Sequence, residues 1–167
     1  SNSMSKLRVQ EIAHTNGTVA MTVDAGGNTT VTGNLFRNSI PYIQLLHNGD
    51  TAYTAGQTLS VWRVRQSNGI SHSDGVLTIP VTGLYHVGLS VITSASSGVH
   101  VNINGVNQFR IGYGAAGSGE AWSAISGDCI LSLTENDLLK MTIENSTNIY
   151  GATNSQTVSS YYCYLIG

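Results

Sequence analysis

Charged side chains are scarce in this sequence of 167 residues: they make up 10% of it, where soluble domains usually carry about 25%. Lysine and arginine together number seven and are scattered singly, so the chain has no basic patch for a nucleic-acid backbone. The formal net charge is −2. Surface polarity must come instead from Asn, Ser, Thr and Gly, a composition typical of extracellular and virion β-proteins.

Long hydrophobic runs are also missing. No apolar stretch approaches the roughly 20 residues that span a bilayer, so we expect no membrane insertion. The residues after Met4 lack the apolar segment of an export signal. We interpret Ser1, Asn2 and Ser3 as a tag remnant and Met4 as the natural start. On this interpretation the protein is made in a cytoplasm without export.

Cysteines are too few for a disulfide scaffold. Cys129 and Cys163 are the only two, and each lies within an apolar, β-like run. Buried free cysteine behaves as a small hydrophobic residue, so we expect both thiols to be free.

Motifs for catalysis, metals and cofactors are absent as well. No serine lies in a Gly-x-Ser-x-Gly elbow, the five histidines are far apart, and no acidic run resembles a calcium loop. Residues 112–117 match the letters of a dinucleotide fingerprint, but no helix follows them, so we interpret them as a loop. We expect no catalytic residue, metal or cofactor. Carboxylates that meet in space, or a metal on a symmetry axis at His86, stay open alternatives.

What is present is a series of short apolar and β-branched runs separated by Asn-Gly, Gly-Gly and Ser-Gly pairs. This pattern indicates an antiparallel sandwich or barrel. Nine strands are predicted in the larger part of the chain, namely residues 42–46, 59–65, 76–79, 84–92, 100–104, 106–111, 121–133, 138–144 and 158–166. In the fourth of these, Tyr85, Val87, Leu89 and Val91 alternate with polar or small residues and are predicted to face the core.

Residues 1–38 form a separate unit, made of the tag remnant and a β segment for a stalk or attachment. Short runs at residues 7–12, 19–23 and 29–33 predict strands, with turns at 14–18 and 24–28. Strands this short bury too little apolar surface to be stable alone. They must be completed by another part of the chain or by other chains, which is a first indication of an oligomer.

Four motifs follow one another in residues 40–167. A short strand ends in Pro80-x-x-Gly83 and precedes an aromatic-rich strand, and residues 101–105 end in an Asn-Gly hairpin. Residues 129–139 contain a Leu-x-Leu run and a turn at Asn136, and residues 160–166 form an aromatic-rich last strand. In this order the motifs resemble the trimeric jelly-roll head of the tumour necrosis factor and complement globular-head superfamily, with Asn136 where the family's Leu-x-Leu-x-x-Gly-Asp turn has Gly.

The resemblance implies an all-β antiparallel jelly-roll sandwich that forms homotrimers, with residues 39–167 as the head. Residues 12–28 resemble segments of phage tail-fibre and virion-fibre proteins, where such segments form stalks or attachment points. Together the two resemblances imply a structural protein of a phage virion, a tail fibre, head fibre or capsid decoration. Its partners would be two further copies of itself, other virion proteins through residues 1–38, and a host glycan or receptor.

Six aromatic or histidine residues are candidates for the contacts of such a head. His86, Tyr162 and Tyr164 are predicted at the seam between subunits. Trp62, Tyr113 and Trp122 lie beside predicted loops, where amphipathic rings could stack on sugar faces. Packing within the sandwich or seam is the alternative for these three rings.

Two other functions stay open from the sequence. One is a secreted or cellular recognition protein of the complement-head type, and the other is a glycan depolymerase with carboxylates that meet across chains. The missing export signal disfavours the first, and the lack of a long β-helical region disfavours the second.

Overall fold

The structure is a computed structural model that describes residues 11–13, 19–31, 40–115, 122–152 and 159–166. Every regular element in these ranges is a β-strand, which confirms the all-β prediction. The chain divides into two compact units, Ser1–Asn38 and Ser39–Gly167. No helix in the described ranges is long and apolar enough to cross a membrane.

The first unit contains a three-stranded antiparallel sheet of β1 (Glu11–Ala13), β2 (Val19–Val23) and β3 (Thr29–Val31). The predicted turn between the last two strands is confirmed. The Asp24 carboxylate accepts the backbone N–H groups of Gly26 and Asn28, which closes the turn in the manner of an Asx motif. The predicted turn at 14–18 and residues 7–10 and 32–33 of the predicted strands lie outside the described residues.

The second unit contains the remaining strands in chain order, which are β4 (Tyr42–His47), β5 (Thr51–Tyr53), β6 (Trp62–Asn68), β7 (Ser71–Ser73), β8 (Val76–Thr78), β9 (Gly83–Thr93), β10 (Ser97–Ile103), β11 (Val106–Gly114), β12 (Ser123–Leu133), β13 (Leu138–Ile143), β14 (Thr147–Tyr150) and β15 (Ser160–Leu165).

These strands form two sheets. One is five-stranded in the order β11-β10-β13-β8-β7. The other is seven-stranded. Six of its strands follow the order β5-β14-β9-β15-β4-β6, and β12 pairs with the edge of β9 that does not face β15. Both sheets contribute residues to one hydrophobic core, which gives the predicted sandwich. The residues of the core that are fully shielded from solvent include Leu45, Leu59, Leu77, Ile79, Tyr85, Val87, Val91, Val99, Val101, Ile125, Leu139, Met141, Ile149, Tyr161 and Cys163.

Two turns have the backbone conformation that their residues predict. Asn104 and Gly105 join β10 to β11 with φ values of 52° and 88°, the left-handed pair that a tight hairpin requires. Asn136 has a φ of 71°, so it does occupy the position where glycine is usual.

Several local predictions were wrong. β5, β7 and β14 were not predicted, because they are three or four residues long and none of them holds more than two large apolar residues. His72 and Ser73 lie in β7, and the turn that follows falls on Asp74 and Gly75. The loop predicted at 112–117 is also wrong for Gly112–Gly114, which continue β11.

The two cysteines are free thiols, as predicted. Both pair with Val87, Cys129 from β12 and Cys163 from β15, so two strand spacings separate them, roughly 10 Å. That separation is too large for a disulfide. Burial raises the pKa of Cys129 to about 11 and that of Cys163 to about 12, so neither thiol ionises at neutral pH.

One histidine is part of the buried framework. The His47 ring is fully shielded from solvent, with Nδ1 2.7 Å from the Gly49 carbonyl oxygen and Nε2 2.9 Å from the Tyr53 hydroxyl. Because a carbonyl oxygen only accepts, Nδ1 donates to Gly49. Burial lowers the pKa of His47 below its usual 6.5, against the opposing effects of the Gly49 carbonyl and the Asp50 charge.

The lowered pKa makes stability depend on pH. Below about pH 6.5 the unfolded chain binds a proton at His47 that the folded chain does not, so the free energy of unfolding should fall as the pH falls. Urea unfolding at about pH 7.5 and about pH 5.5 measures this loss. His47→Gln should show a smaller loss than the unmodified chain, and His100→Gln, the control, should show the same loss. An equal loss in the unmodified chain and His47→Gln would contradict the assignment.

Candidate functional site

The candidate site is the side of strands β12, β9, β15 and β4 that points away from the core, here called the outer face. In antiparallel pairs, directly opposed residues lie on the same face of the sheet. Tyr164 pairs with His86 and with Tyr42, and His86 also pairs with Ile130, so these residues form one row across four strands. The alternation that buries Tyr85 therefore directs this row to the surface.

His86 is the polar centre of the outer face. Its Nδ1 lies 2.7 Å from the Tyr164 hydroxyl, and its Nε2 lies 2.8 Å from Asp128 Oδ2. An ionised carboxylate only accepts, so Nε2 donates to Asp128, and Nδ1 has the Tyr164 hydroxyl as its partner. Both ring nitrogens are therefore satisfied within one chain, and the rotamer of the ring is fixed from two neighbouring strands.

Aromatic stacking completes this centre. Tyr162 and Tyr164 stack with ring centroids 6.2 Å apart, and both meet His86 edge-on, at 5.5 and 5.1 Å. Tyr162 lies flat over Gly88, where any Cβ would overlap its ring. Burial, followed by the nearby charge of Asp128, raises the pKa of Tyr162, so its hydroxyl stays protonated at neutral pH.

Large apolar side chains surround the polar centre and stay open to solvent. They are Tyr42 (37% exposed), Leu84 (46%), Ile130 (63%), Tyr164 (38%) and Ile166 (47%). Isolated exposed apolar residues are ordinary, but a group that shares one sheet face marks a contact surface.

The structure thus places the predicted seam residues His86, Tyr162 and Tyr164 in one contiguous cluster. Asp128 and Ile130 belong to the same surface and were not predicted as site residues. The signal that would have found them is the pairing register of β12 with β9, which places Asp128 opposite Gly88 and Ile130 opposite His86. That register could not be read from β12 by itself.

The three residues predicted to contact ligand do not form one site. Trp62 is only 8% exposed, its indole N–H donates to the Leu59 carbonyl oxygen at 2.7 Å, and its ring packs against His47 and Tyr161. The prediction of Trp62 as a surface contact was therefore wrong, because the ring fills the core. Tyr113 is 50% exposed, and the Arg110 guanidinium lies over its ring at 5.2 Å.

Trp122 is 60% exposed and stacks on Tyr150, with ring centroids 5.0 Å apart and an interplanar angle of 21°. It immediately precedes Ser123, which pairs with Thr93, while Tyr150 pairs with the neighbouring Ile92. The two rings therefore meet across the end of β9. Tyr150 was not predicted as a site residue, since only the fold brings residues 122 and 150 together.

The described residues do not assemble a set of metal ligands. Within them, no group of three or more His, Cys, Asp or Glu side chains is placed to hold an ion. His86 and Asp128 form a pair, and the ion pair of Arg110 with Glu144 lies on the other sheet.

No protein-family model matches the sequence, and no curated protein matches it. Solved structures do match the fold. The globular domain of zebrafish complement 1qA protein aligns with a TM-score of 0.61 at 14% identity, over 76% of this chain and 98% of that one. Murine APRIL at pH 5.0 aligns with a TM-score of 0.60 at 13% identity, over 77% of this chain and 100% of that one.

Eiger TNF from S. frugiperda aligns with a TM-score of 0.62 at 12% identity, over 77% of this chain and 94% of that one. Likenesses at this level of identity concern the fold alone. They confirm the jelly roll expected from the four sequence features, while the resemblance of residues 12–28 to phage fibres stays a prediction. The second unit of the chain has the jelly-roll fold of the tumour necrosis factor and complement globular heads.

Proposed function

We propose that this protein is a non-enzymatic, homotrimeric attachment module of a phage virion. Residues 39–167 form a trimeric head whose subunits meet through the outer face, and residues 1–38 attach the head to other virion proteins. The head in turn contacts a host glycan or receptor. Assembly takes place after synthesis in the host cytoplasm.

The observation that carries the proposal is the apolar outer face. Ile130 is 63% exposed beside a centre of stacked tyrosines, on the sheet face opposite the core. Fully burying one such side chain stabilises an assembly by about 2 kcal/mol. Burial of the whole group in three copies would offset the entropic cost of association.

The polar centre suits such a seam. Burying a charged or polar group costs free energy unless its hydrogen bonds are made. Both His86 nitrogens already have partners within the subunit, at 2.7 and 2.8 Å, so the ring does not need a new partner from another copy. The same bonds hold Tyr164 and Asp128 in place before association, which limits the entropy lost on binding.

A stoichiometry of three follows from the resemblance of the head to a superfamily of trimers. A trimeric head carries three equal binding sites at fixed spacing. Once one site is bound, the others bind as intramolecular events, so weak single contacts add up to firm attachment. The virion setting rests on the resemblance of residues 12–28 to fibre segments.

Ile130→Asp tests the seam. Three buried carboxylates at one interface would each lose solvation without a partner, so the variant should dissociate to monomers at concentrations where the unmodified chain is trimeric. Sedimentation velocity measures the distribution of species, and circular dichroism checks that the β-sheet content is kept.

Val106→Asp is the matched control, because Val106 has nearly the same exposure, 62%, but lies on the five-stranded sheet. This variant should keep the assembly of the unmodified chain. Dissociation by Val106→Asp, or a folded Ile130→Asp that assembles normally, would contradict a seam on the outer face.

The virion setting has a separate test. Antibodies to residues 39–167 should label purified phage particles in negative-stain electron microscopy, at the tail or on the capsid. Mass spectrometry of the same particles should detect the chain in a ratio of three copies per attachment point. Its absence from particles, with recovery from cell surfaces or medium, would overturn the virion assignment and leave the assembly of the head unaffected.

A further inference from the structure

The stacked pair of Trp122 and Tyr150 lies at one end of the sandwich. Strand β9 is 11 residues long, so its two ends are about 33 Å apart. Tyr42, near the point where the chain enters the sandwich, lies in the row of His86 toward the first end. The stacked pair lies beside Ile92 and Thr93 at the second end. Within the sandwich, the stacked pair therefore lies far from the point where the chain enters.

Both rings stand on anchored backbone. Ser123, directly after Trp122, pairs with Thr93 at the end of β9. The Ser159 hydroxyl donates to the carbonyl oxygen of Tyr150 and accepts the N–H of Ile92. The stacking itself fixes the angle between the rings. A ligand therefore meets a flat surface that is already ordered, which lowers the entropic cost of binding.

The described segments that adjoin the pair are polar and uncharged. Residues 89–94, 122–127 and 147–152 contain no Lys, Arg, Asp or Glu. Their polar groups include the exposed Asn148 amide and the half-buried Ser94 hydroxyl. Among the described residues outside these segments, Asp50 brings a carboxylate to Gly151, whose N–H its Oδ1 accepts at 3.0 Å.

We propose that Trp122, backed by Tyr150, binds the apolar face of a neutral sugar ring. An indole ring offers an apolar surface with a polar N–H at its edge, and a pyranose offers C–H groups on one face and hydroxyls at its rim. The hydroxyls and amides beside the pair match that rim. A nucleic acid would need cations for its phosphates, and the adjoining segments provide none.

This site deepens the proposed function, on which it rests: it names the ligand class of the attachment head. One flat ring and a few hydroxyl contacts give weak binding, in the millimolar range for a single sugar. Three copies on one rigid head would raise the effective affinity for a surface that carries many sugar chains.

The chain has two tryptophans, of which Trp62 is buried and Trp122 is exposed, so fluorescence quenching by acrylamide reports on Trp122. The probes are the methyl glycosides of glucose, galactose, mannose and N-acetylglucosamine, each titrated into the full chain. Saturation-transfer NMR on the same samples identifies which sugar protons contact the protein. We expect at least one probe to protect Trp122 from quenching and to show transfer to the C–H groups of one ring face.

Variants then separate the site from the rest of the head. Trp122→Ala should weaken binding about tenfold or more, as NMR measures, and Trp122→Phe should retain part of it. Phe109→Ala removes another partly exposed ring, on the five-stranded sheet, and should leave binding unchanged.

Two results would overturn the sugar site. One is the absence of protection and of saturation transfer with all four probes. The other is dissociation of the trimer by Trp122→Ala, which would make the pair part of the subunit seam. The two proposals can be contradicted independently. A trimer that binds none of the probes would contradict the sugar site but not the seam. A monomer that binds a probe would contradict the trimeric head but not the sugar site.

Discussion

The structure depends on the pairing of β9 along both of its edges. All eleven residues from Gly83 to Thr93 pair with β12, and residues 85–90 also pair with β15 on the other edge. A central strand held on both sides cannot slip, since a shift of one residue would exchange its two faces. The same register that buries Tyr85 and Val87 presents His86 to the surface. The core and the outer face are thus two consequences of one alternation.

This constraint explains how far the fold could be predicted. Residues 84–92 alternate strictly enough to assign the buried face, and Asn104 with Gly105 favours a turn that few other pairs allow. The short strands β5, β7 and β14 could not be predicted, because they form only where the rest of the sandwich supplies partners. Their own residues have little preference that would distinguish them from turns.

The candidate site, like the fold, could be predicted only in part. His86 was predicted at the seam because its strand alternates. Tyr162 and Tyr164 were predicted there because their strand resembles the closing strand of the superfamily. Asp128 and Tyr150 could not be predicted, because only the fold brings them to partners that are distant in sequence. Asp128 meets His86 at a sequence separation of 42, and Tyr150 meets Trp122 at a separation of 28. Trp62 was wrongly predicted at the surface because it lies beside a predicted loop. Its position beside a loop does not determine whether the ring points into the core or toward solvent.

The mass of the unmodified chain in solution tests the central claim most directly. Multi-angle light scattering, coupled to size exclusion over a range of loading concentrations, should give three times the mass of one chain across a single peak. A monodisperse, folded monomer throughout that range would contradict the account, because the apolar outer face would then lie open to water without a partner.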